Sequence, residues 1–479
     1  MFGDQGLFWP DEFYQTLEQA HRFAFGVGIV PWEFVSGARS WLYPGALGLL
    51  LKFASAVGVN SGLSLVILAK GTSVAMSIAT VDLSMRIARR LTEDDAGLTG
   101  IAEILAGIFV GLFPPFLLFG SKCMTETVSG FLMVGATYLS LRPSGVTKGV
   151  GAFDRNERNR LVGAGVLTAL AIFVRYQNGL FAVLLLLILL VQRRRQASMA
   201  FVAGALPIGI LGGALDAWTW GTPFHSFVQY AQFHAENKAV AWGVANKVYF
   251  FVHTWRSGGP AVLFASLFFL LLRVRHLLLA LVPIVYIGVH SMVPHKEYRF
   301  IVPVLPILFA LSAAGIEQGL GRVQSLSTVR RAYVVAGILS VCVAFGFAER
   351  AIRMTFKDLG HGDGLAADLA SGDDSPWHAA EGVNRLLAAA GDRSDVCGVA
   401  IKDIPWSSTG GYAYLHKDVP LYFDGEPETL LRANYFIARR DFHQSWLYKE
   451  EVESRGFMLF RREGECDPPP ADYTRVVPP

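Results

Sequence analysis

The chain has 479 residues, of which 52% are hydrophobic and only 17% are charged, and its mean hydropathy is +0.39. Soluble domains carry about 25% charged residues, so this balance excludes an ordinary soluble globular protein and marks an integral membrane protein. The net charge of +3 at pH 7 is too small to point to nucleic acid as a partner.

A helix that crosses the hydrocarbon core needs about 20 apolar residues, fewer where the bilayer thins. By that measure about ten spans are predicted, at 62–86, 97–119, 122–141, 161–175, 178–192, 199–217, 260–274, 276–293, 300–317 and 332–349. The basic groups Arg86/Arg89/Arg90, Arg142 to Arg160, Arg193/Arg194/Arg195, Arg273/Arg275 and Arg322/Arg330/Arg331 fall in alternate connections. Placing them all in the cytoplasm satisfies the positive-inside rule. Residues 120–121, Tyr176–Gln177, 218–259, Val293–Arg299 and both ends are then external. Counting Tyr43–Val59 as a span would invert every later loop, so it is read as a helix lying in or dipping into the interface, with a re-entrant or spanning helix as the alternative. The expected organisation is an external loop over 1–61, a membrane body over 62–349 and an external tail over 350–479. No cleavable signal peptide is predicted, because Met1–Gly6 has no basic region ahead of an apolar run.

The loop begins with an amphipathic helix from Asp11. Phe13, Leu17, Ala20 and Ala24 form its apolar stripe, and Asp11, Gln15, Glu18 and Arg22 recur at the same spacing on another face. Pro10 precedes it and Gly26 and Gly28 close it. Such a helix is expected to lie on a membrane surface with its polar face toward water. Residues 218–259 carry Trp218, Trp220, Trp242, Trp255, Tyr230 and Tyr249, which suit the membrane interface and are read as a roof over an external cavity. The tail is rich in Asp, Gly and Pro, with short apolar runs at Val396–Ile401, Tyr435–Ala438 and Phe457–Phe460 and a helix near Trp377–Ala390. It reads as a small α/β unit without a catalytic motif. The four cysteines show no metal-type spacing; Cys397 and Cys466, both in the tail, can pair there if it faces an oxidising compartment, but two free thiols are the expectation.

Charge at membrane depth or at the mouth of a span is costly and therefore a functional candidate. Four groups stand out, all external by the topology above: Asp11-Glu12; the run Pro294-His295-Lys296-Glu297-Tyr298-Arg299-Phe300; Lys122 and Glu126; and Arg175-Tyr176. Each has a structural alternative. Acidic residues in a first turn complement the helix dipole, Arg175 can snorkel, and Lys122 with Glu126 can be a surface i,i+4 pair. Lys70, Asp82 and Glu103 within spans are read as structural. Basic groups and aromatics at the outer leaflet suit a phosphate or diphosphate head group. A carboxylate facing them can deprotonate an acceptor hydroxyl. Together these roles describe glycosyl transfer from a lipid-phosphate sugar, and no DxD-like nucleotide-sugar motif with its metal is present. The rival reading is a transporter or lipid flippase, against which stand the lack of internal repeats and the clustering of charge at one face.

PDEFYQTLEQAH, PWE, ARSWLYPG and SMVPHKEYRFIVPVLP, in that order, with MTETVSGFLMVGATY, AIFVRYQNGLFAV and DAWTWGTPFHSFVQY between, resemble glycosyltransferase family 22 of the GT-C superfamily. The likeness covers most of the chain from Trp9 to Ala314. It implies an inverting α-mannosyltransferase that takes mannose from a polyprenyl- or dolichyl-phosphate donor to a glycolipid or lipid-linked glycan, without cofactor or metal. Asp11 is then the expected base with Glu12 beside it. Gln15, Arg39, Tyr43, Lys122, Glu126, Arg175, Tyr176, His295, Lys296, Glu297 and Arg299 are the expected substrate-binding residues. The same fold with another lipid-phosphate sugar, glucose or arabinose, is the alternative. Family members carry a transmembrane helix just before the Pro-Asp-Glu segment, whereas nine residues precede Pro10 here. Either a further apolar helix lies upstream of Met1, or the loop is anchored only on its C-terminal side. With no Asn-x-Ser/Thr sequon and an Ala/Gly/Arg-rich composition, a bacterial inner membrane with a periplasmic site is favoured over an endoplasmic-reticulum membrane with a lumenal one.

Overall fold

The computed structural model of the protein describes residues 9–93, 100–142, 153–192, 194–322, 326–360, 376–423, 429, 431–440 and 448–477. The basic residue Arg193 lies outside them, as do the side chains of Arg275, Arg330 and Arg331.

Every predicted apolar segment contains a helix. By length and composition, four helices among the described residues are able to cross a membrane: Gly62–Thr92, Arg195–Trp220, Tyr298–Gly321 and Tyr333–Arg353. Prolines divide some of the expected segments. Residues 97–119 hold two helices, Ile101–Gly111 and Pro114–Phe119. Pro114 and Pro115 have no N–H to continue a ladder and fit only the first turn of a new helix. Likewise Tyr298–Val304, which contains Pro303, is a 3-10 turn that leads into Leu305–Gly321.

Leu305–Gly321 is the central helix, buried from Leu305 to Gln318, as a helix apolar all round must be. The helices Arg155–Val174 and Arg195–Trp220 approach through glycines from both sides. A Cβ on Gly165 would fall 1.9 Å from Phe201 O, and one on Gly204 would fall 2.0 Å from Val162 O. Small residues permit such backbone contact between apolar helices. At the end opposite the first loop, Arg90, Arg160 and Arg194 donate to the last carbonyls of helix Thr125–Ser140, including Tyr138 O at 3.2 Å and Leu139 O at 3.1 Å. Cations there complement the helix dipole.

The first helix differs from its predicted setting. It consists of Pro10–Glu12, a π-helical turn Phe13–Leu17 and Glu18–Phe25, closed by Gly26 at φ +79°. Its polar face does not lie toward water: Glu12 to His21 are all buried. The reason is packing from two sides. Helix Leu42–Ala56 covers one flank with Tyr43, Leu47, Leu51 and Ala54 buried, and the C-terminal segment covers another through Tyr14, Glu18 and His21.

The C-terminal segment forms one mixed sheet. Its strands are β1 (Val399–Ile401), β2 (Leu421–Tyr422), β3 (Tyr435–Arg439), β4 (Lys449–Ser454) and β5 (Phe457–Arg461), in the order β2-β1-β3-β5-β4. β1 runs parallel to β2 and β3, while β3, β5 and β4 are antiparallel neighbours. Helix Glu381–Gly391 buries Val383, Leu386 and Leu387. On the other layer Phe436, Tyr448 and Phe460 cluster. Strand alternation sends Phe436 and Ile437 to opposite faces. Cys397 and Cys466 are not free thiols, as their sequence spacing suggested, but a disulfide with Cα atoms 5.9 Å apart. Cys397 precedes β1 and Cys466 follows β5, and both strands flank β3, so the pairing of the sheet brings the two ends together.

Candidate active site

Pro10 occupies the first helical position, and Asp11 and Glu12 follow in the first turn. The two carboxylates point to different places. Asp11 has a side chain 20% exposed; its Oδ2 meets Arg299 Nη2 at 2.8 Å and its Oδ1 lies 3.9 Å from Arg39 Nη2. Glu12 has a fully buried side chain with Lys70 Nζ at 3.6 Å. Lys70, read from the sequence as structural, thus lies beside the candidate acidic pair.

Arg299 is the hub. Besides Asp11 it binds Glu297 through two hydrogen bonds, Nε to Oε2 at 2.7 Å and Nη2 to Oε1 at 3.0 Å, and its Nε lies 3.5 Å from Glu126 Oε1. Arg175 pairs with the same Glu126 oxygen. The rings of Trp9 and Phe300 stack on Arg299 at 5.5 and 5.6 Å, and Phe300 also faces Arg175 at 5.3 Å. Four distant stretches, those of Asp11, Glu126, Arg175 and Glu297 with Arg299, therefore meet in one charged cluster. Bidentate pairing and aromatic faces suit guanidinium groups at such low exposure.

The environment sets the protonation of the outer groups. Burial works to raise the Glu297 carboxyl, but Arg299 and His295, whose Nε2 lies 3.1 Å from Glu297 Oε1, outweigh it and hold the carboxyl well below its usual range. Burial opposes the charge on His295, and the hydrogen bond and charge of Glu297 reverse that, leaving it raised. Glu33, in the short helix Trp32–Val35, is buried and accepts a 2.7 Å hydrogen bond from Gln15 Nε2. Its carboxyl is raised by burial, with Arg39 opposing and Asp11 adding to the shift.

Gln15, Arg39, Tyr43, Arg175 and Tyr176 line one small cavity of about 10 Å³ next to the cluster. A cavity of that size holds roughly one water, so a sugar enters only if these side chains move. A larger cavity of about 120 Å³ is walled by Val74, Ile78, Val110, Phe116 and Val302, and Glu126 is also part of its lining. Tyr176 is turned to Ser226, which in turn hydrogen-bonds Asp216. The two candidate lysines differ in setting. Lys296 Nζ donates to Ala245 O at 2.7 Å, and Lys122 is fully buried in the turn ahead of helix Thr125–Ser140. Above the loop, Trp32 stacks on Phe233 at 4.7 Å, Phe233 on Trp242 at 5.4 Å, and Trp220 Nε1 donates to Arg39 O. Trp218 is exposed.

Glu33 escapes a reading of the sequence for site residues, although its Pro-Trp-Glu stretch carries part of the family resemblance. A carboxylate so soon after a proline, among aromatics, is the available signal. Lys70 carries a second signal, a cation inside an apolar helix.

With this geometry in view, the fold defines the class. The chain superposes on ArnT from Cupriavidus metallidurans bound to undecaprenyl phosphate with a TM-score of 0.57 at 13% identity, covering 97% of this chain and 96% of that one. It also matches the Archaeoglobus fulgidus oligosaccharyltransferase at a TM-score of 0.50 and 11% identity, over 91% of this chain and 65% of that one. This is the GT-C fold of membrane enzymes. Within it, the chain belongs to the Alg9-like mannosyltransferase family, whose sequence model matches residues 4–365. GPI mannosyltransferase 3 of Yarrowia lipolytica is 27% identical over 65% of this chain and 59% of its own length. GPI alpha-1,2-mannosyltransferase 3 of Mus musculus is 25% identical over 63% of this chain and 54% of its own. The chain thus spans little more than half the length of these relatives, whereas the Bos taurus protein of the same name aligns over 93% of this chain and 76% of its own, at 24% identity.

Proposed function

We propose that the protein is an inverting mannosyltransferase of the membrane that moves mannose from a polyprenyl- or dolichyl-phosphate donor to a hydroxyl of a glycolipid or lipid-linked glycan. One observation carries the reading: Asp11, partly exposed, is held by Arg299 and Arg39 where Glu126, Arg175 and Glu297 converge. In this reading Asp11 takes the proton of the acceptor hydroxyl, needing only hydrogen-bond reach of it. The donor phosphate replaces Asp11 on Arg299 and draws on Arg175 and Arg39, so that guanidinium groups neutralise the charge left on the departing phosphate. Inversion needs the hydroxyl and the phosphate on opposite faces of the sugar and no covalent nucleophile, in the geometric sense known for inverting hydrolases. Glu12, enclosed with Lys70, serves the fold and not the acceptor.

The apolar cavity that has Glu126 in its lining supports a donor with a lipid chain, and the structurally similar ArnT was solved bound to undecaprenyl phosphate. About ten spans, with the arginine-rich helix ends cytoplasmic and the cluster external, remain the proposed topology. The Cys397–Cys466 disulfide supports an oxidising compartment for the tail, and a bacterial inner membrane with a periplasmic site is the proposed location. The test is turnover of purified protein with polyprenyl-phosphate mannose, compared with the glucose and arabinose donors and with a panel of glycolipid acceptors. Mannose transfer or donor hydrolysis supports the reading. Turnover of another sugar alone replaces the donor, and no turnover or hydrolysis of any donor ends the transferase reading.

A further inference from the structure

Tyr14, Glu18 and His21 recur at i, i+4 and i+7 on the first helix, and all three are buried against residues 406–416 of the C-terminal segment. Tyr14 Oη lies 2.6 Å from Trp406 O and 3.0 Å from Thr409 O. Glu18 uses both oxygens: Oε1 accepts from Ile29 N at 2.8 Å and Tyr412 N at 3.0 Å, and Oε2 accepts from Ala413 N at 2.8 Å. His21 Nδ1 donates to Val27 O at 2.7 Å, which leaves Nε2 to accept from His416 Nδ1 at 2.8 Å. A second strap lies nearby, where Val30 N donates to Arg475 O at 2.8 Å and Val477 N donates to Val30 O at 3.1 Å.

The receiving segment is itself fixed within the tail and packed on the membrane body. Gly410 N donates to Asn384 Oδ1 of the tail helix Glu381–Gly391 at 2.7 Å. A Cβ on Gly62, at the start of helix Gly62–Thr92, would fall 2.3 Å from Tyr414 O. Gly411 sits at φ +54°, and a Cβ there would fall 2.8 Å from Glu18 Oε1, so a side chain would both strain the backbone and fill the carboxylate's seat. The same long helix reaches the other end of the first helix through Lys70 and Glu12. The helix that carries Asp11 is thus tied at both ends to Gly62–Thr92, once directly and once through the tail.

We infer that residues 406–416 are a seat that sets the position of the Asp11-bearing helix, with Tyr14, Glu18 and His21 as positioning residues. The tail then belongs to the catalytic apparatus without touching substrate. This rests on Asp11 being the base. Moving a reacting group by about 1 Å costs on the order of a hundredfold in rate, while the donor's phosphate still finds Arg175 and Arg299.

The experiment uses the full chain in detergent or nanodiscs, with Glu18→Gln and Tyr14→Phe. Gln offers one oxygen and places an NH₂ against a backbone N–H, so at least one seat bond is lost. Hydrogen–deuterium exchange is expected to rise roughly tenfold across 10–25 in Glu18→Gln and less in Tyr14→Phe, with 305–321 unchanged. kcat is expected to fall roughly tenfold to a hundredfold while the KM for polyprenyl-phosphate mannose stays within about twofold. Wild-type exchange at 10–25 in both variants overturns the seat, as does a raised donor KM with unchanged kcat. If Glu18→Gln does not fold, Tyr14→Phe decides by the same readouts. If wild type shows no turnover, the functional reading fails, and exchange alone decides whether the seat exists.

Discussion

Asp11 and Glu18 are two carboxylates seven residues apart on one helix, yet their surroundings are opposite. Asp11 is partly exposed and faces two guanidinium groups. Glu18 is fully buried and meets backbone N–H groups from Ile29, Tyr412 and Ala413. Burial raises the Glu18 carboxyl to about 7, even though those three hydrogen bonds and Arg22 pull it down. A carboxylate with guanidinium partners and an opening to solvent is suited to accept a proton and to trade partners with a phosphate. One enclosed by fixed dipoles is suited to hold geometry. The π-helical turn between them separates the two settings: Glu18 N bonds Phe13 O, an i→i−5 link, which advances the helix by about one residue and turns Glu18 off the face of Asp11.

The largest expected effect falls at Asp11. Asp11→Asn should lower kcat by roughly 10²- to 10⁴-fold, the usual contribution of a positioned base, with donor affinity nearly unchanged in a binding assay. If Glu18→Gln costs more than this, the contrast between base and seat is lost. Next is Arg299→Ala, which leaves Asp11, Glu126 and Glu297 without their shared cation. Breaking a buried charge network of this kind costs about 3–5 kcal/mol, and a lowered Tm together with weakened donor binding checks it. Arg299→Lys should not restore binding, because an ammonium cannot reproduce the two-pronged contact with Glu297.

Disulfide loss ranks third. The Cys397–Cys466 bond closes 69 residues, and Cys397→Ser should cost about 2–4 kcal/mol, read as a Tm that no longer responds to reductant. pH sharpens the comparison further. The folded pKa of Glu18 is raised from 4.5 to about 7, so its contribution to stability is full below about 4.5 and lost as pH rises through about 7. His21 is lowered by burial from 6.5 to about 4, with His416 adding to the shift and the Val27 hydrogen bond opposing it. Its contribution is full above 6.5 and lost as pH falls through about 4. Wild type should therefore gain stability relative to Glu18→Gln as pH is lowered from about 8 to about 5, and thermal unfolding against pH tests the sign. The smallest effect is expected for Lys296→Ala. Its ammonium is spent on Ala245 O, and donor KM should change by no more than about twofold.

Much of the helical body was legible because apolar runs of membrane length leave few alternatives, and the charged stretches at Asp11, Glu126, Arg175 and Glu297-Arg299 announced themselves by their cost. What the sequence concealed was set by contacts between distant residues. Amphipathic spacing said that Gln15 and Glu18 face water, and only the packing of Glu33 on Gln15 and of the tail on Glu18 reverses that. Strand β4, Lys449-Glu450-Glu451-Val452-Glu453-Ser454, is an edge strand rich in charge and carries no apolar run to reveal it. The disulfide follows from strand order, which cysteine spacing does not encode. Lys296 looked equivalent to Arg299, but the chain turns it toward a carbonyl of the 218–259 segment.

The most direct measurement of the central claim is single-turnover mannose transfer from polyprenyl-phosphate mannose by wild type and Asp11→Asn at saturating donor. With Asp11 as the base, wild type transfers mannose and Asp11→Asn loses roughly 10²-fold or more in rate with donor still bound. Transfer by Asp11→Asn at the wild-type rate would contradict that role.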